Sequence, residues 1–216
     1  MVKAPLVTLN PNDYSIQSRL HGGVKVDERQ SIDLAIVDPP YGIKNMTAGG
    51  RGTDGWTKWE NKKWDNDIPC KAFFDELRRV SKNIIIWGGN YFANLLPNSK
   101  CWLMWDKGQR DFSLADGELA WTSFDKSIRV FDFSRGAANT EDKIHPTQKP
   151  VELYQWLLSN YAKPGDSILD THLGSGSIAL ACHNLGFDLT GYEIDKEYFE
   201  AASKRLETHQ RQAKLF

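Results

Sequence analysis

Cysteine is scarce and badly spaced for metal or disulfide chemistry. Its three copies, Cys70, Cys101 and Cys182, lie far apart with no Cys-x-x-Cys pair. That argues against a zinc site or a disulfide framework and leaves the thiols expected as small buried hydrophobes. No window is apolar for the roughly 20 residues that a bilayer-spanning helix requires. Met1-Val2-Lys3-Ala4-Pro5 opens onto polar sequence without an apolar signal core, so a cytoplasmic location is expected. Net charge is also missing, because 27 Lys and Arg stand against 28 Asp and Glu. No global basic field marks a nucleic-acid binder, and any such contact has to come from local patches. Internal repeats and low-complexity tracts are absent. A chain of 216 residues suffices for one α/β domain with a full core and is short for two, so a single domain over 1–216 is expected.

What is present begins with a strand running into a motif. Ile32 to Val37 reads as a strand buried on both faces near its end, the type found in parallel sheets. It leads straight into Asp38-Pro39-Pro40-Tyr41. As a bare tetrapeptide this reads equally as a stiff strand-end turn with an exposed tyrosine or as a pocket for a planar amine. The following segment, 42–64, is glycine-rich and basic, with Lys44, Arg51, Lys58, Lys62 and Lys63 interleaved with Trp56, Trp59 and Trp64. Aromatics between positive charges suit stacking on bases and contact with phosphates, whereas a plain surface loop would only tuck its tryptophans onto the domain. Nucleic-acid contact by Lys44, Arg51, Trp56, Lys58, Lys62 and Lys63 is the expectation.

Further along, Pro69 suits a first helical turn, and Phe73, Phe74, Leu77 and Val80 recur at helical spacing. Ile84 to Trp87 reads as a strand, Tyr91 to Leu96 as a helix stopped by Pro97, and Cys101 to Trp105 as another strand. Glu118 to Phe124 and Ser127 to Phe133 look like an antiparallel pair, so a mixed sheet is predicted. The segment 134–142 lacks hydrophobic periodicity and is a second candidate for target contact. After His145-Pro146-Thr147-Gln148-Lys149-Pro150, an amphipathic helix starts near Val151.

The last third is a strand, a glycine loop, a helix and a strand ending in an acid. Gly174-x-Gly176-x-x-Ala179 lets the backbone turn tightly and approach a ligand, and Glu193 follows roughly twenty residues on, where an acid can accept both ribose hydroxyls. A plain βα turn is the bland alternative. The pattern sits too near the C-terminal end to leave room for the second half of a dinucleotide fold, which favours an adenosine-containing methyl donor over a redox cofactor.

With Asp38-Pro39-Pro40-Tyr41 first, His145 to Pro150 next and Asp170-Thr171-His172-Leu173-Gly174-Ser175-Gly176-Ser177 last, the chain resembles the circularly permuted beta class of amino-group DNA methyltransferases. The similarity spans about residues 31–207 and includes Trp87 to Tyr91 and Gly117 to Trp121. It implies an α/β, Rossmann-like class I methyltransferase fold: a mostly parallel twisted sheet with an antiparallel portion and permuted motif order. It also implies S-adenosylmethionine as cofactor and adenine-containing DNA as partner. The sequence leaves the oligomeric state open, with a homodimer among the options. By resemblance, the catalytic segment is Asp38, Pro39, Pro40 and Tyr41. Asp38 and the Pro39 carbonyl hold the target amino group, and Tyr41 stacks on the extruded base. The cofactor would be met by Asp38, Thr147, Lys149, Asp170, His172, Leu173, Gly174, Ser175, Gly176, Ser177 and Glu193. His172 departs from the family's usual phenylalanine.

The chemistry agrees with those residue types. An exocyclic amine is a poor nucleophile because its lone pair is delocalised into the ring. Two acceptors that hold both N–H groups favour tetrahedral nitrogen and aim the lone pair in line. By the resemblance, aspartate at the first motif position, where family members acting on cytosine N4 more often carry serine, favours adenine N6. RNA or protein-amide methylation and a catalytically inactive nucleic-acid-binding subunit are the competing readings.

Overall fold

The structure is a computed structural model, which describes residues 6–8, 29–43, 67–110, 115–138 and 143–212. Strand β1 covers Leu6–Thr8 and β2 covers Ile32–Val37. Helix α1, Lys71–Val80, passes directly into β3, Ser81–Trp87. Then come β4 (Trp102–Asp106), β5 (Gly117–Thr122), β6 (Arg129–Asp132) and a short helix α2 (Arg135–Ala138). The C-terminal part is α3 (Val151–Tyr161), β7 (Ser167–Asp170), α4 (Ser177–Leu185), β8 (Asp188–Glu193) and α5 (Lys196–Gln212).

These strands form one eight-stranded sheet in the order β1-β8-β7-β2-β3-β5-β4-β6. Pairing is parallel from β1 through β3, and β5 runs against both of its neighbours, β3 and β4. The central strands are apolar on both faces, as a sheet covered on both sides requires. Leu34, Ile36, Ile85 and Trp87 pack towards α3 and α4, while Ala35, Val37, Ile84 and Ile86 pack towards α1 with Phe73, Phe74 and Leu77. Each fully buried side chain of this size contributes about 1.5–3 kcal/mol. Truncation of a residue such as Ile85, which is wholly buried, would cost about 2–5 kcal/mol.

The chain leaves β2 through α1 towards β3, and leaves β7 through α4 towards β8 on the other side. Since β2 and β7 are neighbours, in register at Leu34 with Ile168 and Ala35 with Leu169, this is the point where the strand order reverses. Ligand crevices of open α/β sheets lie outside the carboxyl ends of the strands at such a point. Asp38 and Asp170 both stand there.

Four local expectations are corrected. The strands read as an antiparallel hairpin, β5 and β6, do not pair, because β4 lies between them with its Leu103 and Trp105 buried. Their connection steps over the start of β4, where the Cys101 thiol donates to the Ser127 carbonyl at 3.6 Å. Tyr91 to Leu96 is not a helix: a 3-10 turn at Gly89–Tyr91 runs into further turns. It lies flat on β5, so close that a Cβ on Gly89 would stand 2.7 Å from the Trp121 nitrogen. Pro69 precedes α1, whose N-cap is Cys70. Cys70 is therefore exposed, and only Cys101 and Cys182 are buried. The short α2 gives part of 134–142 a helical turn, capped where Ser134 Oγ accepts from the Ala137 amide at 3.2 Å. Residues 139–142 lie outside the described residues.

Candidate active site

Asp38 follows the last buried residue of β2, and Gly42 beyond it has φ +71, a left-handed turn that suits glycine. The Tyr41 hydroxyl donates to Asp38 Oδ1 at 2.6 Å, folding the tetrapeptide back on itself. Lys149 reaches in from the segment before α3 and pairs with Asp38 Oδ2. Its ammonium also lies 3.1 Å from Glu118 Oε2, while Lys107 Nζ donates to Glu118 Oε1 at 2.6 Å. Two carboxylates and two ammoniums thus share one partly enclosed cluster, with the Lys149 side chain only 3% exposed. Paired in this way, each charge has a partner that offsets its lost hydration.

The electrostatic consequences differ for the two acids. Burial pushes the Asp38 carboxyl above its ordinary value, against the pull of Lys149 and with added repulsion from Glu118. Burial would raise Glu118 as well, but Lys149 and Lys107 together hold it at about 2. Burial works against the charge of Lys149 too, and the carboxylates of Asp38 and Glu118 outweigh it, holding the ammonium above its ordinary range. Tyr41 is kept neutral by burial and by the two neighbouring carboxylates.

The Tyr41 ring stacks on Tyr91 with centroids 4.9 Å apart and planes 15° from parallel. Space for it comes from Gly88, which has φ +70 and where a Cβ would fall 2.2 Å from Tyr41 Cε1. Only glycine fits that turn with Tyr41 in place. Gly88 is in turn anchored by its amide, which donates to the Leu119 carbonyl at 2.8 Å, so the turn that seats Tyr41 and the strand that carries Glu118 are tied together.

The glycine loop lies beside this cluster. At the end of β7, Asp170 is 1% exposed and accepts the His172 amide at 2.9 Å. Burial, helped by Asp38 and Glu193 and opposed by that amide, pushes its carboxyl up to about 8. The Leu173 amide donates to the Tyr192 carbonyl at 2.8 Å. Gly174 and Gly176 take φ +50 and +72. Glu193 at the end of β8 accepts the Gly174 amide at 2.7 Å through Oε2 and the Asp195 amide at 2.9 Å through Oε1. Its carboxyl is raised by burial, against those amides.

Other sequence-derived residues take structural neighbours. Ser175 and Ser177 are buried and linked at 3.1 Å between hydroxyls, and Arg205 of α5 donates to the Ser175 carbonyl and the Ser177 hydroxyl, each at 3.0 Å. His172 meets the Phe73 ring edge-on at 5.5 Å and its Nδ1 lies 2.9 Å from Thr171 Oγ1, so the imidazole occupies an aromatic position. Thr147 Oγ1 lies 3.1 Å from His145 Nδ1, and the His145 ring packs on Tyr198 at 4.4 Å and against Gly174. His145 is therefore part of the seat of the glycine loop rather than only a turn former. Lys44, Arg51, Trp56, Lys58, Lys62 and Lys63 lie outside the described residues. Sequence reasoning missed Glu118, Lys107, Gly88 and Tyr91 as members of the site. The available signal was a lone acid, Glu118, entering an otherwise apolar strand.

With this geometry in hand, comparison with known proteins is informative. Residues 123–204 match the profile of a family described as DNA methylase. The match takes in α3, β7, α4, β8 and the glycine loop. Type II methyltransferase M.HpaI of Haemophilus parainfluenzae is 28% identical to the chain over 229 residues, covering 84% of the chain and 70% of the relative. Type II methyltransferase M.HinfI of Haemophilus influenzae is 25% identical over 234 residues, covering 85% of the chain and 65% of the relative, just under two thirds of its length. Among solved structures, the M1.HpyAVI–SAM complex superposes with a TM-score of 0.60 at 19% identity, covering 94% of this chain and 99% of that chain. The likeness carries the class I methyltransferase fold, and the mixed, mostly parallel sheet described above agrees with it.

Proposed function

We propose that the chain transfers the methyl group of S-adenosylmethionine to the N6 amino group of adenine in DNA. The observation that carries this reading is the placement of Asp38, bound by the Tyr41 hydroxyl and Lys149, at the strand-order reversal beside the Gly174 to Gly176 loop and Glu193. A donor site and an amine acceptor thus share one crevice. The similarity to Type II methyltransferases supports DNA as the substrate.

The residues present fit the cofactor. Left-handed backbone at Gly174 and Gly176 keeps side chains out of the loop, and the Glu193 carboxylate beside it is an acceptor suited to ribose hydroxyls. S-adenosylmethionine supplies an electrophilic sulfonium methyl when bound. The chain's own residues act on the nucleophile. Asp38 and the Pro39 carbonyl accept hydrogen bonds from the two amino N–H groups and direct the nitrogen lone pair. Adenine leaves the duplex to reach them, and the Tyr41–Tyr91 pair supplies aromatic surface that offsets part of the unstacking cost. No covalent protein intermediate is required. The basic, tryptophan-bearing segment 42–64 is proposed to contact DNA.

Labelled methyl transfer tests this reading. Incorporation into DNA, greatly exceeding that into RNA or protein and lost in Asp38→Ala, is expected. Cofactor binding without any transfer to DNA would instead identify a non-catalytic subunit.

A further inference from the structure

In the cluster around Asp38, both carboxylate oxygens already have donors: the Tyr41 hydroxyl on Oδ1 and the Lys149 ammonium on Oδ2. An incoming amine has to share or displace one of them. A donor displaced inside an enclosed site loses free energy unless another acceptor takes it, and the loss is larger for a charged donor than for a neutral one. One acceptor is placed to do so for both. Glu118 Oε2 lies 3.3 Å from the Tyr41 hydroxyl and 3.1 Å from Lys149 Nζ. Its other oxygen is fixed by Lys107 at 2.6 Å, and Lys107 is itself seated over the Trp105 ring at 4.9 Å from its centroid. Glu118 sits on β5, the strand that also binds the Gly88 turn beneath Tyr41.

We propose that Glu118 is a positioning residue: it is the second acceptor to which the Tyr41 hydroxyl and the Lys149 ammonium turn when the target amine occupies Asp38. The inference rests on the reading of Asp38 as the amine acceptor. In the free protein Asp38 keeps its donors and stays oriented. When the amine arrives, each donor shifts from one acceptor to another within the same cluster. No buried proton is left unpaired, and the cluster keeps its balance of two acids and two bases.

Two substitutions at Glu118 separate this role from simple structural support. Glu118→Asp retains the charge but retracts the carboxylate from Tyr41 and Lys149. It is expected to slow single-turnover methyl transfer at least about tenfold, with cofactor affinity unchanged and the acid limb of the rate profile in place. Glu118→Gln removes the charge and is expected to slow transfer similarly while moving that limb to lower pH. The other charged or titratable groups facing Asp38 are Lys149, Tyr41, Tyr154 and Asp170, and all are unchanged in both variants. Removing the Glu118 charge takes away one of the influences that raise Asp38, which sets the direction. A purely structural role would lower stability without moving the limb. Wild-type single-turnover rates in Glu118→Asp would overturn the proposal. So would an unmoved limb in folded Glu118→Gln, and the first criterion stands even if the amide variant does not fold. Asp38→Ala run alongside distinguishes the two levels: retained transfer there defeats the amine-acceptor reading itself. Loss there with wild-type Glu118 variants defeats only the role of Glu118.

Discussion

Replacing Gly88 by alanine is expected to disable the site by displacing Tyr41 from beside Asp38. The added Cβ would lie 2.2, 2.5 and 2.8 Å from Cε1, Cδ1 and Cζ of Tyr41, closer than any tolerable contact. Either Tyr41 leaves or the turn rebuilds. Alanine at φ +70 costs about 1–2 kcal/mol by itself. Expelling Tyr41 forfeits a hydrogen bond to a carboxylate, about 1.5–3 kcal/mol, and a stacked ring pair, about 0.5–1.5 kcal/mol. The total is about 3–6 kcal/mol, of which only the backbone part should survive once Tyr41 is absent. Urea unfolding of the wild type, Gly88→Ala, Tyr41→Ala and the double variant measures this directly as a coupling energy. The expected coupling is about 2–4 kcal/mol, with Gly88→Ala alone losing methyl transfer to nearly the extent that Tyr41→Ala does. Additive stabilities, or a Gly88→Ala protein with wild-type transfer, would refute the reasoning.

Three further outcomes follow from the same geometry. Glu193→Ala strips the acceptor from the Gly174 and Asp195 amides and is expected to weaken S-adenosylmethionine binding at least about tenfold by calorimetry, since one such loss is worth about 1–3 kcal/mol; unchanged affinity would remove its role. Asp170 is protonated in the folded chain up to about 8 but ionises at ordinary carboxylate pH when unfolded, so stability is lost as pH rises through that window. The wild type should therefore weaken relative to Asp170→Asn by up to about 1.4 kcal/mol per pH unit from roughly pH 4 to 8, and parallel stability curves would contradict the assignment. Lys149→Met takes the cation from between Asp38 and Glu118, so it should cost about 3–5 kcal/mol and move the acid limb of transfer to higher pH, opposite in sign to Glu118→Gln.

Much of this was legible in the sequence because the strands of a covered sheet are short continuous apolar runs. Ile84 to Trp87 and Ser167 to Asp170 admit few other readings, and a glycine loop between strand and helix fixes where a ligand can lie. Which strands become neighbours was less legible. β5 and β6 read as a hairpin because they are close in sequence, but the burial of Leu103 and Trp105 places β4 between them. Tyr91 to Leu96 has a helix-like composition, yet it forms turns, and the Gly89 turn that leads into it packs closely on Trp121. Asp38 and Tyr41 were visible as a motif. Their partner Glu118 lies in Gly117 to Trp121, a segment that carries part of the resemblance, but its role was not legible, because only the crossing of β5 beside the sheet's ligand edge brings an acid some eighty residues away within 3.3 Å of Tyr41. Gly88 likewise looked like part of a strand-end turn, and its necessity appears only once the Tyr41 ring is seen against it.

Asp38 is proposed to hold the N6 amino group of adenine for methylation. Nucleoside mass spectrometry of DNA incubated with the protein and isotopically labelled S-adenosylmethionine addresses it most directly. Labelled N6-methyladenine is expected with the wild type and none with Asp38→Ala. Labelled N4-methylcytosine as the sole product, or N6-methyladenine still formed by Asp38→Ala, would contradict it.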